Sequence, residues 1–104
     1  MSKKNKEGFE TRAIHAGQKA DPTTGAVMMP IYTSSTYEQE SPGVHKGFDY
    51  SRSINPTRKA FEECIASLEN GEVGFGFSSG VAAISACVEL LSLGDHVIAM
   101  NDLY

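Results

Sequence analysis

The sequence predicts an α/β fold in which a strand, a helix and a second strand make one right-handed βαβ unit. Three observations carry this. Val73, Phe75 and Phe77 alternate with Gly74 and Gly76, the period-two pattern of an extended strand. A polar Ser78-Ser79-Gly80 turn then opens the apolar run Val81 to Leu91. After the turn Leu93-Gly94-Asp95, residues His96 to Met100 read as a second strand, so the whole unit occupies about 28 residues.

The elements before this unit follow from local chemistry. Residues 1–8 are polar, and a short helix is expected over Glu10 to His15 between Gly8 and Gly17. Asp21-Pro22-Thr23-Thr24-Gly25 has turn composition: proline presets one backbone angle and glycine accepts a left-handed one. Ile31 to Tyr37 is β-rich, but Pro30 and its polar content argue against a buried central strand. A loop from Glu38 to Asp49 follows. Asn55 is a good helix N-cap and Pro56 suits the first helical position, where its missing N–H costs nothing. Phe61, Cys64, Ile65 and Leu68 recur at the helical period and predict an apolar stripe, with Glu62, Glu63 and Glu69 mostly on the solvated face. Asn70-Gly71 ends that helix. In the strand at 73–77 the glycines leave one face open, either to close packing or to a ligand.

Composition bounds the function classes. The chain has 104 residues, 40% of them hydrophobic, which permits one small domain. Its first half is polar and Pro/Gly-punctuated, and it ends directly after a strand-like segment, so the expectation is a segment of a longer protein. Nine Lys plus Arg stand against 13 Asp plus Glu, a net charge of −4, and the short Lys3-Lys4-Lys6 cluster makes no basic stripe. A nucleic-acid footprint is not expected. Cys64 and Cys87 read as small core side chains rather than a bridge or a metal pair. No apolar run has the ~18 residues that span a membrane, and no secretory segment follows the lysines. A soluble, cytoplasmic protein is the expectation.

The unit's ligand site is expected beyond the carboxyl ends of its strands, where the Ser78–Gly80 turn and Asn101 to Tyr104 both fall. A helix start carries unpaired N–H groups and partial positive charge, so the turn is either an anion site or simply a capped helix. The glycines do not form GxGxxG, and Val81 stands where a Walker sequence needs lysine. Arg52 can grip a phosphate through its planar fork, and Tyr50 would share its side in an extended chain; the alternative is a surface arginine beside a packing tyrosine. Tyr104 suits stacking on a flat ring, or an interface. His15, His45 and His96 show no metal-ligand spacing, and Ser79 lacks the GxSxG elbow, so zinc and hydrolase readings fall away.

TRAIHAG (11–17), PIYTSSTY (30–37), GFDYSRSINPTR (47–58), FSSGVAAI (77–84) and GDHVIAMNDLY (94–104) occur in this order. Together they resemble the amino-terminal part of the Cys/Met-metabolism pyridoxal-phosphate enzymes, which include cystathionine γ-lyase, γ-synthase, β-lyase and methionine γ-lyase. The run Pro42 to Arg58 looks most like the γ-lyases, with the γ-synthases close behind.

The resemblance implies the large domain of a fold-type I, aspartate-aminotransferase-like enzyme. Residues 1–54 would form an extended arm packing on a neighbouring subunit, and residues 55–104 the first helix and βαβ unit. Gly80 and Val81 match positions whose backbone N–H groups hold the phosphate of pyridoxal 5′-phosphate, with Ser79 beside them. Tyr50 and Arg52 match a pair that reaches the neighbour's phosphate, with Tyr50 also close to the substrate in a catalytic role. Tyr104 matches the residue that stacks on the pyridine ring. The family usually has methionine where Val81 stands, and a backbone donor survives that change. A dimer at minimum and a homotetramer are implied, acting on a small sulfur-containing amino acid. γ-Elimination of cystathionine is the leading expectation; γ-replacement on an acylhomoserine with cysteine, or the activity of a cystathionine β-lyase or methionine γ-lyase, are the enzyme alternatives, and a non-catalytic interaction module is the alternative of another class. The family's cofactor-bearing lysine matches none of Lys3, Lys4, Lys6, Lys19, Lys46 or Lys59, so these 104 residues are expected to be inactive alone.

Overall fold

Three helices organise the residues that the computed structural model describes, 7–103: α1 (Phe9–His15), α2 (Pro56–Leu68) and α3 (Gly80–Val88). α2 is the hub. Its start is capped as the sequence predicts: Asn55 Oδ1 accepts from the N–H groups of Thr57 at 2.9 Å and Arg58 at 3.2 Å, and Pro56 occupies the first turn. Its end is a Schellman closure, with the Gly71 N–H on the Ala66 carbonyl at 2.8 Å and that of Asn70 on Ser67 at 3.3 Å. Asn70, with φ of 56°, supplies the left-handed residue there. α1 begins one residue before the predicted range, and α3 stops at Val88 rather than continuing to Leu91.

Three segments dock on α2. α1 lies against its middle, where Arg12 donates to the Ser67 carbonyl and to Asn70 Oδ1, and Cys64 Sγ contacts the carbonyls of Arg12 and Ala13. Gly17, at φ of 74°, lets the chain leave α1 against Ala60, since a side chain there would strike the Ala60 carbonyl. The arm is fixed at the other end. Thr57 Oγ1 donates to the Pro30 carbonyl at 2.8 Å and accepts from the Tyr32 N–H at 2.9 Å, while Asn55 Nδ2 donates to the Tyr32 carbonyl at 3.0 Å. Residues 73–77 form the third docked segment. At Gly74 an added Cβ would collide with the Glu62 carbonyl, so this face serves close packing on α2.

Several expectations are corrected. No β-ladder forms among the described residues, and the β-pairings there are two isolated antiparallel bridges, Thr36 with Tyr50 and Ser41 with Val44. Residues 73–77 and 96–100 therefore do not build the predicted parallel pair. Alternation specifies a face that seeks cover, but hydrogen-bond pairing depends on which strand lies alongside. The buried residues of α2 are Ala60 and Ala66, whereas Phe61 and Ile65 are exposed. Small side chains admit α1 and the strand segment to the helix backbone, while Phe61 and Ile65 face outward and Leu68 is half-buried. Cys64 is half-buried, but Cys87 is exposed rather than in a core. Glu62 does not belong to the solvated face: its Oε1 accepts the Gly76 N–H at 2.8 Å and pairs with Arg58 Nε at 3.3 Å.

The result is an open shape. The radius of gyration is 17.5 Å, against about 13 Å for a compact domain of similar length. Val73, Phe75, Val81, Ile84, Val97 and Ile98 are all exposed, Ile98 fully so at 101%. Among the described residues no helix is long and apolar enough to cross a membrane.

Candidate functional site

The position of Tyr50 is set by backbone pairing. The Tyr37 N–H donates to the Asp49 carbonyl at 3.1 Å and the Ser51 N–H to the Ser35 carbonyl at 2.9 Å, which places Tyr50 opposite Thr36. The chain then turns back: the N–H groups of Ser53 and Ile54 both donate to the Tyr50 carbonyl, at 3.0 and 2.9 Å. This turn, not an extended run, brings Arg52 beside Tyr50. Arg52 Nη2 donates to the Tyr50 hydroxyl at 2.8 Å, and the guanidinium carbon lies 5.3 Å from the ring centroid. Arg52 makes no ion pair among the described residues, so its charge remains available.

Ser79 is the N-cap of α3. Its backbone is extended at φ −156° and ψ 160°, and its Oγ accepts from the Ala82 N–H at 3.1 Å. Its carbonyl takes the Ala83 N–H at 3.2 Å. Gly80 and Val81 precede these two bonded positions, and their N–H groups donate to no acceptor among the described residues. A Cβ built on Gly80 would meet nothing within 4 Å. The turn is thus capped on one side and open on the other.

The structure brings Tyr50 together with Arg52, and Ser79 together with Gly80 and Val81. Among the described residues no hydrogen bond joins the two groups. Tyr104 lies outside the described residues. Two clefts lie elsewhere: one of about 660 Å³ involves α1, α2 and residues 71–74, and another of about 610 Å³ includes Tyr32, Tyr37 and Phe48. Neither is lined by Tyr50, Arg52 or Ser79 to Val81. No group of three or more His, Cys, Asp or Glu suits a metal ion among the described residues.

Residues 10–104 match the family described as Cys/Met metabolism PLP-dependent enzyme. The chain belongs to that family. Cystathionine beta-lyase of Coxiella burnetii (strain RSA 493 / Nine Mile phase I) is 63% identical over 99 residues, covering 95% of this chain and 26% of the relative. Cystathionine gamma-lyase of Dictyostelium discoideum is 52% identical over 105 aligned positions, covering 100% of this chain and 27% of the relative. The fold is shared with the crystal structure of metB from Corynebacterium glutamicum. The TM-score is 0.83 at 41% identity, covering 91% of this chain and 25% of that one. The chain spans about a quarter of the length of these relatives.

The open features have the chemistry of an anion site. A dianion needs N–H donors without competing acceptors, room for close approach, and an unneutralised cation. The Gly80 and Val81 amides and the empty space at Gly80 meet the first two needs, and the Arg52 guanidinium, in the separate Tyr50 group, meets the third. Sequence reasoning missed the network behind Arg52. Arg58 Nη1 and Nη2 donate to the carbonyls of Ser51 at 2.9 Å and Ser53 at 2.7 Å, and Arg58 pairs with Glu62. The signal was present as an Arg–Glu spacing of four on one helix.

Proposed function

We propose that this chain is the amino-terminal part of a pyridoxal-phosphate-dependent carbon–sulfur lyase that acts on cystathionine, with the fold-type I large domain beginning at residue 55. The observation that carries the reading is the family match over residues 10–104, which embraces both the Tyr50–Arg52 pair and the α3 start. Gly80 and Val81 would bind the cofactor phosphate through their N–H groups, with the Ser79 hydroxyl beside them. Tyr50 and Arg52 would serve the phosphate of a neighbouring subunit, with the arm of residues 1–54 packed across the interface of a dimer or homotetramer. Tyr104 would stack on the ring. When bound, the cofactor supplies an electron sink for charge developing at the substrate α-carbon. The residues of this chain orient it. In each site two N–H donors of one subunit and the arginine fork of its neighbour would hold the phosphate, and the neighbour's Tyr50 would bring its hydroxyl close to the substrate.

γ-Elimination is the primary assignment, resting on the likeness of residues 42–58 to γ-lyases. It converts cystathionine and water to cysteine, 2-oxobutanoate and ammonia. β-Elimination, giving homocysteine, pyruvate and ammonia, is the second reading, and the 63% identity to a cystathionine beta-lyase favours it. Supplying L-cystathionine to the complete gene product and identifying the 2-oxo acid separates the two. Acylhomoserine plus cysteine yielding cystathionine would instead assign γ-replacement. Absence of cofactor binding together with absence of any of these products rejects the enzyme reading.

A further inference from the structure

Resting on the reading that Tyr50, Arg52 and the α3 start serve cofactor phosphates, we propose that Arg58 and Glu62 form a strut that aims Arg52 and ties its turn to the segment feeding α3. Arg58 is then a positioning residue acting through Arg52.

Each nitrogen of the Arg58 guanidinium has its own partner. Nη1 takes the Ser51 carbonyl at 2.9 Å, Nη2 the Ser53 carbonyl at 2.7 Å, and Nε faces Glu62 Oε1 at 3.3 Å. Ser51 and Ser53 flank Arg52, so one planar fork holds the carbonyls of the residues on both sides of it. The same Glu62 oxygen accepts the Gly76 N–H at 2.8 Å, three residues before the Ser79 cap. The Arg58 stem closes the contact: a Cβ on Gly76 would lie 3.4 Å from Arg58 Cγ and 3.5 Å from Cδ. Both side chains are largely covered, at 32% and 20% exposure, unlike the neighbouring Lys59–Glu63 pair at 49% and 52%. Lysine cannot replace this arrangement, because a single ammonium cannot span two carbonyls and a carboxylate in fixed directions. If the two phosphate-binding groups serve adjacent subunits, the strut joins one site's cradle to the other site's arginine.

The test is a double-mutant cycle on the complete gene product, read as the dissociation constant of pyridoxal phosphate, with Lys59→Gln as control. Arg52→Gln and Arg58→Lys are each expected to weaken binding about tenfold, and the double variant scarcely more than Arg52→Gln alone, because the second change acts through the first. Lys59→Gln should leave affinity unchanged. A general packing defect would instead multiply with Arg52→Gln. If Arg58→Lys does not fold, Glu62→Gln carries the same cycle. No effect of Arg52→Gln overturns the underlying site reading. A normal Arg52→Gln loss with full-strength binding in Arg58→Lys, or with multiplying losses in the double variant, overturns the strut.

Discussion

Arg52 donates to the Tyr50 hydroxyl at 2.8 Å while lying over the same ring, so the two side chains form one preassembled unit within a turn of three residues. The hydroxyl accepts from Arg52 and keeps its own proton for a further partner. Tyr50→Phe is therefore expected to weaken pyridoxal-phosphate binding by about fivefold, and Arg52→Gln by about tenfold, because a charge-assisted bond is lost. Cofactor titration of the apoprotein measures both. Equal, negligible losses would count against the pair as a phosphate ligand.

Thr57 uses one hydroxyl as both donor and acceptor toward the arm, on Pro30 and Tyr32. Thr57→Val keeps the shape and loses both bonds, at a cost of about 2 kcal/mol to the docking of residues 30–32. Amide exchange at Tyr32 should accelerate about thirtyfold, whereas Thr57→Ser should leave it near the parent rate.

Asn55 caps two α2 amides and also holds the Tyr32 carbonyl. Asn55→Ala is expected to destabilise by about 1–2 kcal/mol, and Asn55→Asp by less, since aspartate retains the cap but not the Nδ2 donor. Denaturant titrations of the two variants check the order.

Gly74→Ala should destabilise by about 1–3 kcal/mol, because the new methyl meets the Glu62 carbonyl rather than a yielding side chain. Gly43→Ala probes backbone strain alone, at φ of 79° with open space around it. A lower unfolding temperature for the first than the second would support packing as the reason for the glycine at 74.

The Thr24 N–H, at 2.8 Å, is the main influence holding the Asp21 carboxyl below the ordinary aspartate value, assisted by the Thr24 hydroxyl and the Thr23 N–H. A depressed folded value means that this turn gains stability above the unfolded aspartate value and loses it as pH falls through the folded one. Carboxyl NMR should give Asp21 a midpoint below that of an unstructured aspartate, and Asp21→Asn should abolish this part of the acid response.

Much of the helical framework was legible because caps are local. Asn55-Pro56 announces α2, and Ser79 announces α3, through bonds that span two or three residues. The strands were not, because Phe75 and Phe77 specify an apolar face and say nothing of which chain lies beside it. The Tyr50–Arg52 adjacency was legible as two neighbours in sequence, but its cause was not: it depends on residues 35–37 crossing the chain at 49–51. Glu62 was read as part of the solvated face and Arg58 was given no role, since the carbonyls and amide they hold are distant in sequence or carry no side-chain signal.

The uncovered apolar face has a consequence for biosynthesis. α1, residues 30–32, α2 and residues 73–77 can lock together as soon as residue 77 has left the ribosome, through the α1–α2 contacts, the Thr57–Pro30 bond and the Glu62–Gly76 bond. Leu93, Val97 and Ile98 have no such cover. Nascent chain at this stage is a natural client for holdase chaperones, and these 104 residues expressed alone should accumulate in inclusion bodies unless a chaperone is supplied.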